Sequence, residues 1–254
     1  MSVLTANNLT KVYGERSGNY STNALNGIDL QIEEGEFIAI MGPSGSGKST
    51  LVSILSGILT PTAGSVEICG NRIDTMDQYE MALFRRRKLG FVFQEFNLLD
   101  NLTLKENVML PMVLDKKDSS IMKEKANEIM KLFGIEELAD KYPYQISGGQ
   151  QQRVAVSRAL VNDPTILFAD EPTGNLDSKS ANAVMNCFEK INIEKKVTAL
   201  IVTHDVFAAS FCKKVIFIKD GKIFMNIVRK GTRKEFLDQI LDCQAIVGGE
   251  SNDL

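Results

Sequence analysis

Short apolar segments alternate with longer amphipathic segments along most of the chain. Four compact apolar runs have the length of buried strands: 36–41, 89–93, 165–169 and 198–202. Between them, apolar residues recur at helical spacing in 104–140, 150–160 and 179–191. Buried strands that alternate with helices predict an α/β fold with a mainly parallel core sheet.

The two ends of the chain follow other patterns. Residues 3–12 and 24–32 alternate apolar and polar positions, and 64–73 has the pattern of a short hairpin, so we expect an antiparallel β subdomain. Segment 214–224 predicts a hairpin that turns at Asp220-Gly221. A short amphipathic helix is predicted at 234–241, followed by a Gly-rich acidic tail beyond the core.

A glycine-rich loop follows the first buried strand directly. Residues 42–49 read GPSGSGKS, and a helix is predicted from about Ser49 to Leu59. Glycines at 42, 45 and 47 let the backbone N–H groups face phosphate oxygens, and the helix N-terminus adds a partial positive charge. Lys48 supplies a full charge and Ser49 a hydroxyl for Mg²⁺. The loop predicts binding of a nucleoside triphosphate.

Two further segments bear on this chemistry. Strand 165–169 leads into Asp170, a ligand for Mg²⁺ through water, and then into Glu171, a general base for an attacking water. Ser147-Gly148-Gly149-Gln150 opens a helix, so its hydroxyl, N–H groups and dipole form a second anion site. Two helix N-termini can contact the same phosphate more easily when they belong to two subunits than when both belong to one fold.

Composition limits the location and the partners of the protein. The 254 residues carry a formal net charge of −3, so no electrostatic footprint for nucleic acid is present. The four cysteines are far apart and the first residues lack a signal-peptide pattern. Because no apolar stretch approaches the roughly 20 residues of a membrane span, we expect a protein that reaches a membrane only through a partner.

These motifs, in this order, resemble the ATPases of ABC transporters, and the similarity runs from Tyr13 to about Gly221. The resemblance implies an ABC-type P-loop ATPase with ATP and Mg²⁺ as cofactors and an inserted helical subdomain at about 95–160. It implies an ATPase domain at 1–231 and a C-terminal extension at 232–254. It also implies an ATP-induced head-to-tail homodimer that drives a separate membrane permease.

The resemblance also assigns residues to roles. Glu171, His204, Gln94 and Lys48 are the expected catalytic residues, and Ser49, Gln94 and Asp170 the expected metal ligands. The expected ATP-binding residues are Tyr13, Gly42, Pro43, Ser44, Gly45, Ser46, Gly47, Lys48, Ser49, Thr50, Ser147, Gly148, Gly149, Gln150 and Asp177. Tyr20 is an alternative to Tyr13 for stacking on adenine, and a core tyrosine is the other interpretation of Tyr13. Two positions depart mildly from the family pattern, Ile146 for leucine and Asn175 for the alanine of many relatives.

Segments 84–99 and 104–111 are similar to the macrolide-exporter and lipoprotein-release branch of the family. The tail at 234–240 and 247–249 is most similar to the bacitracin-export subgroup of Gram-positive bacteria. That similarity implies antimicrobial-peptide resistance, a permease with a large extracellular domain, a position on the cytoplasmic face of the membrane, and often a sensor histidine kinase. A non-transport mechanical ATPase of cell-division type stays open as the alternative. Segments 96–100 and 110–114 are candidates for the permease-docking surface.

Overall fold

The computed structural model describes residues 2–14 and 21–249. Its strands are β1 (Ser2–Tyr13), β2 (Thr22–Glu33), β3 (Phe37–Met41), β4 (Ala63–Ile68), β5 (Asn71–Arg72), β6 (Leu89–Val92), β7 (Ile166–Asp170), β8 (Thr198–Val202), β9 (Lys214–Lys219) and β10 (Lys222–Val228). Its α-helices are α1 (Lys48–Leu55), α2 (Gln78–Lys88), α3 (Leu104–Leu114), α4 (Ser119–Leu132), α5 (Gly148–Leu160), α6 (Ser178–Lys195), α7 (Val206–Ser210) and α8 (Arg233–Gly248). Short 3₁₀ turns lie at Ile73–Thr75, Glu136–Leu138 and Pro143–Gln145.

The strands form two sheets. The larger has the order β10-β9-β3-β8-β7-β6, and all its pairings are parallel except that of the edge strand β10. The smaller is antiparallel with the order β2-β1-β4-β5. Both the parallel core sheet and the antiparallel β subdomain predicted from the sequence are confirmed. The carboxyl ends of β3, β6, β7 and β8 share one edge, where open α/β sheets bind ligands.

Hydrophobic clusters cover both faces of the parallel sheet. Alternate residues of β3 point to opposite faces: Phe37 packs in the cluster with the helices α3–α8, and Ile38 in the cluster with α1 and the antiparallel sheet. Every residue of β3 is therefore buried. This burial on two faces explains the unbroken apolar run, which is typical of central parallel strands.

Some element boundaries differ from the predictions. The helical pattern at 104–140 corresponds to two helices, α3 and α4, joined through a turn at Lys116, which has a φ of 56°. Helix α1 ends at Leu55 rather than near residue 59, because Gly57 adopts a left-handed φ of 67°. The β9–β10 hairpin turns at Asp220-Gly221 as predicted, with positive φ at both residues.

The largest correction concerns the C-terminal segment. Helix α8 is twice as long as predicted and packs against α7 and β9. Its side chains Phe236, Ile240, Cys243 and Val247 are buried in the same cluster as the core helices. The expectation of a tail beyond the core is wrong for 242–248, which belong to α8. Among the described residues, no helix is both long and apolar enough to span a bilayer.

Candidate nucleotide-binding site

The phosphate loop lies at the carboxyl end of β3 and leads into α1. Two of its glycines are required by close backbone approaches at positive φ. A Cβ at Gly42 would lie 2.1 Å from the Ile218 carbonyl oxygen, and one at Gly47 would lie 2.3 Å from that of Ala24. Neither backbone atom can move without shifting a strand. The loop is therefore packed between β2 and β9, and its N–H groups are held in place before a ligand arrives.

Lys48 is folded back onto its own loop. Its Nζ donates to the carbonyl oxygens of Gly42 at 2.9 Å and Pro43 at 2.8 Å. Partial burial lowers the pKa of the ammonium, and the nearby carboxylates of Glu171 and Asp170 act in the opposite direction. The positive charge of Lys48 is thus kept at the loop, where the oxygens of an anionic phosphate can replace the two carbonyl oxygens as partners of the ammonium.

Asp170 and Glu171 follow each other at the end of β7. Burial raises the pKa of Asp170, the Glu171 charge raises it further, and Lys48 and a hydrogen bond from Ser49 lower it. Within the described residues, Asp170 Oδ1 and Glu171 Oε2 are buried without a hydrogen-bond partner. Two buried carboxylate oxygens without a hydrogen-bond partner cost stability, and they fit a site that is completed by a cation or a water.

Glu171 is held toward the end of the neighbouring strand. Its φ is 46°, a left-handed conformation that is strained for a non-glycine residue, and its N–H donates to the Val202 carbonyl at 2.9 Å. Glu171 Oε1 lies 2.8 Å from His204 Nδ1. The glutamate side chain is mostly buried, whereas that of His204 is 71% exposed. The pair therefore joins a mostly buried carboxylate to an imidazole that faces solvent.

A cavity of about 410 Å³ joins these groups. Its lining includes seven of the predicted loop and helix residues together with Glu171 and His204: Gly42, Ser44, Gly45, Gly47, Lys48, Ser49, Thr50, Glu171 and His204. Sequence reasoning missed three further lining residues, Thr22, Asn23 and Ala24 at the start of β2, and no motif marks them. Pro43 and Ser46 do not line the cavity; the Ser46 carbonyl accepts a hydrogen bond from Gly221 N at 3.1 Å.

Tyr13 lies at the rim rather than in the cavity lining. Its hydroxyl is 3.4 Å from Thr50 Oγ1, and the side chain is 41% exposed, so it is not a core tyrosine. This position suits a stacking role for Tyr13. The alternative, Tyr20, lies outside the described residues.

Gln94, two residues beyond β6, does not line the cavity. Its Nε2 donates to Asn175 Oδ1 at 3.4 Å, and Asn175 Nδ2 donates to the Gln94 carbonyl at the same distance. Gly174 packs closely against the Gln94 side chain: a Cβ at this position would lie 2.9 Å from Gln94 Nε2. Metal ligation by Gln94 stays a prediction that requires its side chain to leave Asn175.

The second predicted anion site is also separate from the cavity. Ser147 caps α5, accepting from Gln150 N at 3.3 Å, and Gln150 Oε1 accepts from Ser147 N at 3.0 Å. Asp177 caps α6, and the Ser180 hydroxyl lowers its pKa. The two caps are neighbours, since a Cβ at Gly149 would lie 2.7 Å from the Ser180 side chain. Neither contributes to the cavity, so one chain holds only part of the predicted ATP site.

The oxygen atoms of Asp170 and Ser49 fit a Mg²⁺ ion that is bound together with phosphate. Among the described residues, no group of three or more His, Cys, Asp or Glu side chains could hold a metal without a ligand. Mg²⁺ is commonly bound by one or two carboxylates, waters and substrate phosphates. Asp170 with its unpartnered oxygen and the Ser49 hydroxyl supply the protein part of such a set.

Comparison with known proteins identifies the family. A family model described as ABC transporter matches residues 25–174. The uncharacterized ABC transporter ATP-binding protein YvcR of Bacillus subtilis is 49% identical, with 100% of this chain and 98% of the relative covered. The bacitracin export ATP-binding protein BceA of Halalkalibacterium halodurans is 45% identical, with 100% of both covered. The lipoprotein-releasing system ATP-binding protein LolD of Blochmanniella floridana is 38% identical, with 89% of this chain and 95% of the relative covered.

A solved structure agrees with the sequence relatives. The dimeric, post-hydrolysis structure of the ATP-binding cassette MJ0796 of Methanocaldococcus jannaschii, bound to ADP and Pi, superposes with a TM-score of 0.81. It is 41% identical, with 90% of this chain and 100% of that chain covered. The chain therefore belongs to the ABC transporter family. It is an ATP-binding subunit of that family and an ATPase, as its motifs predicted.

Proposed function

We propose that Glu171 is the general base of ATP hydrolysis and that His204 orients it. The observation that carries this assignment is the 2.8 Å contact between Glu171 Oε1 and His204 Nδ1 at the edge of the phosphate-loop cavity. Glu171 takes a proton from water as the water oxygen bonds to the γ-phosphorus. The bond from that phosphorus to the β–γ bridging oxygen breaks, giving ADP and phosphate.

The remaining groups stabilise charge. Lys48 exchanges its carbonyl contacts for β- and γ-phosphate oxygens, and the loop N–H groups bind the same phosphates. Ser49, Asp170 and, after a side-chain movement, Gln94 would hold Mg²⁺, which would supply positive charge to neutralise the charge that develops on the phosphate oxygens.

The signature residues of a second subunit complete the site. Ser147, Gly148, Gly149 and Gln150 form a helix N-terminus that does not reach the cavity of its own chain. In a head-to-tail homodimer, this N-terminus faces the γ-phosphate bound to the partner, with Asp177 at the interface. The dimeric structure of MJ0796, a cassette of the same fold, supports the formation of a homodimer.

We further propose that the dimer drives a separate membrane permease. A groove of about 320 Å³ between α2, α3 and α5 supports this role, and it is lined by Phe91, Leu110, Pro111 and Leu114. Arg158 connects the groove to the segment after Gln94, because its guanidinium donates to the Phe96 carbonyl at 2.8 Å. A helix of the permease in this groove is thus linked to the residues around Gln94. The protein would then lie at the cytoplasmic face of the membrane.

The cargo we propose is an antimicrobial peptide such as bacitracin or a lantibiotic. The 45% identity to BceA extends over the entire chain, including α8, and supports this choice. The permease expected for that role carries a large extracellular domain. The relation to LolD favours a second candidate, a mechanical ATPase that acts on a permease-like partner in lipoprotein release or cell division.

The catalytic assignment is tested with Glu171→Gln, which keeps the shape of the side chain but removes the base. We expect this variant to bind ATP, to form a stable dimer and to lose at least about a hundredfold in turnover. Lys48→Ala should instead lose affinity for ATP. Wild-type turnover by Glu171→Gln would show that Glu171 is not the base.

The transport role is tested in a strain in which the gene has been deleted. The wild-type gene, but not the Glu171→Gln gene, is expected to restore resistance to bacitracin or a lantibiotic, with a macrolide as the control drug. The tagged Glu171→Gln protein, purified with ATP in mild detergent, should bring down a permease of many spans with a large extracellular domain. Unchanged peptide susceptibility, together with mislocalised lipoproteins or a division defect, would favour the mechanical ATPase.

A further inference from the structure

The end of β1 is attached both to the first turn of α1 and to the loop between α1 and β4. Lys11 Nζ donates to the Thr60 carbonyl at 2.8 Å, and Val12 N donates to Thr62 Oγ1 at 3.0 Å. On the other side, the Tyr13 hydroxyl lies 3.4 Å from Thr50 Oγ1, in the first turn of α1. The phenol ring of Tyr13 is therefore held at a fixed distance from the phosphate loop.

Lys11 also covers one side of that ring. Its Nζ lies 5.4 Å from the centroid of the Tyr13 ring, within the range of a cation–π interaction. The Thr60 carbonyl restrains the same ammonium, so the lysine is not free to swing away. Because the Tyr13 side chain nevertheless stays 41% exposed, part of its aromatic surface remains available to a ligand.

We propose that Lys11 is a positioning residue for the base of the bound nucleotide. It holds the Tyr13 ring through one face, so that the other face is pre-oriented to stack on a purine. A ring that is already immobilised loses less side-chain entropy when the ligand binds. This inference rests on the predicted role of Tyr13 in stacking on adenine, and it adds Lys11 as the residue that holds one face of the Tyr13 ring.

The test separates the base from the phosphates of the ligand. Lys11→Met keeps the aliphatic stem and removes the charge, and binding of ATP and of inorganic tripolyphosphate, each with Mg²⁺, is measured by calorimetry. We expect the Kd for ATP to rise about two- to fivefold while that for tripolyphosphate is unchanged. Lys11→Arg, which retains a cation above the ring, should bind ATP nearly as the wild type does.

Two controls complete the experiment. Lys123→Met removes an exposed lysine of α4 and should alter neither affinity. Tyr13→Ala should weaken ATP binding more than Lys11→Met does, again without an effect on tripolyphosphate. If Tyr13→Ala binds ATP normally, the stacking role of Tyr13 fails. If Lys11→Met binds ATP normally while Tyr13→Ala does not, the role of Lys11 is overturned and that of Tyr13 stands. The same conclusion follows if Lys11→Met loses affinity for ATP and for tripolyphosphate to the same extent.

Discussion

At the scale of single residues, the site contains carboxylate oxygens that are buried without a hydrogen-bond partner. Asp170 Oδ1 and Glu171 Oε2 have no partner among the described residues, and Glu171 also adopts a strained φ of 46°. Each of these features costs stability in the absence of ligand. They are compatible with a site that is completed only when Mg²⁺, phosphate and water are bound.

Asp170→Asn tests this cost. Because the pKa of Asp170 is raised, the folded protein binds the proton more tightly than the unfolded chain does. That contribution to stability is present at acidic pH and is lost as the pH rises through the folded-state pKa. In EDTA at pH 7, we therefore expect Asp170→Asn to unfold at a higher urea concentration than the wild type, and the gain should shrink toward pH 4.

The matched control for this experiment is Asp140→Asn, at an exposed position. It should leave the urea midpoint nearly unchanged at both pH values. Asp170→Asn should also lose most of the Mg²⁺-dependent stabilisation by ATP. A lower midpoint than wild type at pH 7 without metal would contradict the proposed cost of burying this carboxylate.

At the scale of elements, α8 belongs to the core of the described structure. Four of its side chains, at positions 236, 240, 243 and 247, recur every three or four residues and face α7 and β9. Arg233 adds a contact at its start, with the guanidinium carbon 4.2 Å from the Phe211 ring centroid. The helix therefore covers apolar surface of the neighbouring elements.

Phe236→Ala measures the contribution of α8. The phenyl ring is almost completely buried, so its removal should lower the free energy of unfolding by about 3 kcal/mol. Leu241→Ala, on the exposed side of the same helix, should cost less than about 0.5 kcal/mol. Urea unfolding followed by circular dichroism gives both values. Equal, small effects would mean that α8 is not part of the cooperative core.

The same helix illustrates what could be predicted from the sequence. The spacing of its buried residues is sufficient to extend the helix to Gly248, but the glycines at 248 and 249 led to the prediction of a tail. The phosphate loop was predictable because a local motif contains all its features. Thr22 and Asn23 were not, because the β1–β2 pairing brings them to the cavity. The orientation of Gln94 depends on Asn175, 81 residues away in sequence.

At the scale of the whole molecule, the predicted ATP site is divided between two surfaces. The cavity holds the phosphate loop, Glu171 and His204, whereas Ser147 and Asp177 cap helices at a separate position. We expect a single chain to bind ATP but to hydrolyse it only after a second copy supplies the missing helix N-terminus.

Ser147→Asp tests this division in the Glu171→Gln background. Aspartate is a good helix N-cap, so α5 should remain folded, but its negative charge would repel the γ-phosphate of the partner. We expect ATP binding to be retained and the ATP-dependent dimer to be lost in size-exclusion chromatography with light scattering. Ser119→Asp, at the exposed start of α4, is the matched control. Undiminished dimerisation of Ser147→Asp would contradict the head-to-tail arrangement.

The attachment of the phosphate loop to β9 and to Gly221 has a consequence for protein synthesis. Strand β3 pairs with β8 on one side and β9 on the other, and the Ser46 carbonyl is held by Gly221 N. A growing chain on the ribosome has made the GPSGSGKS motif long before these partners emerge. The nascent chain is therefore expected to acquire its affinity for ATP late, after the residues up to about Gly221 have left the exit tunnel.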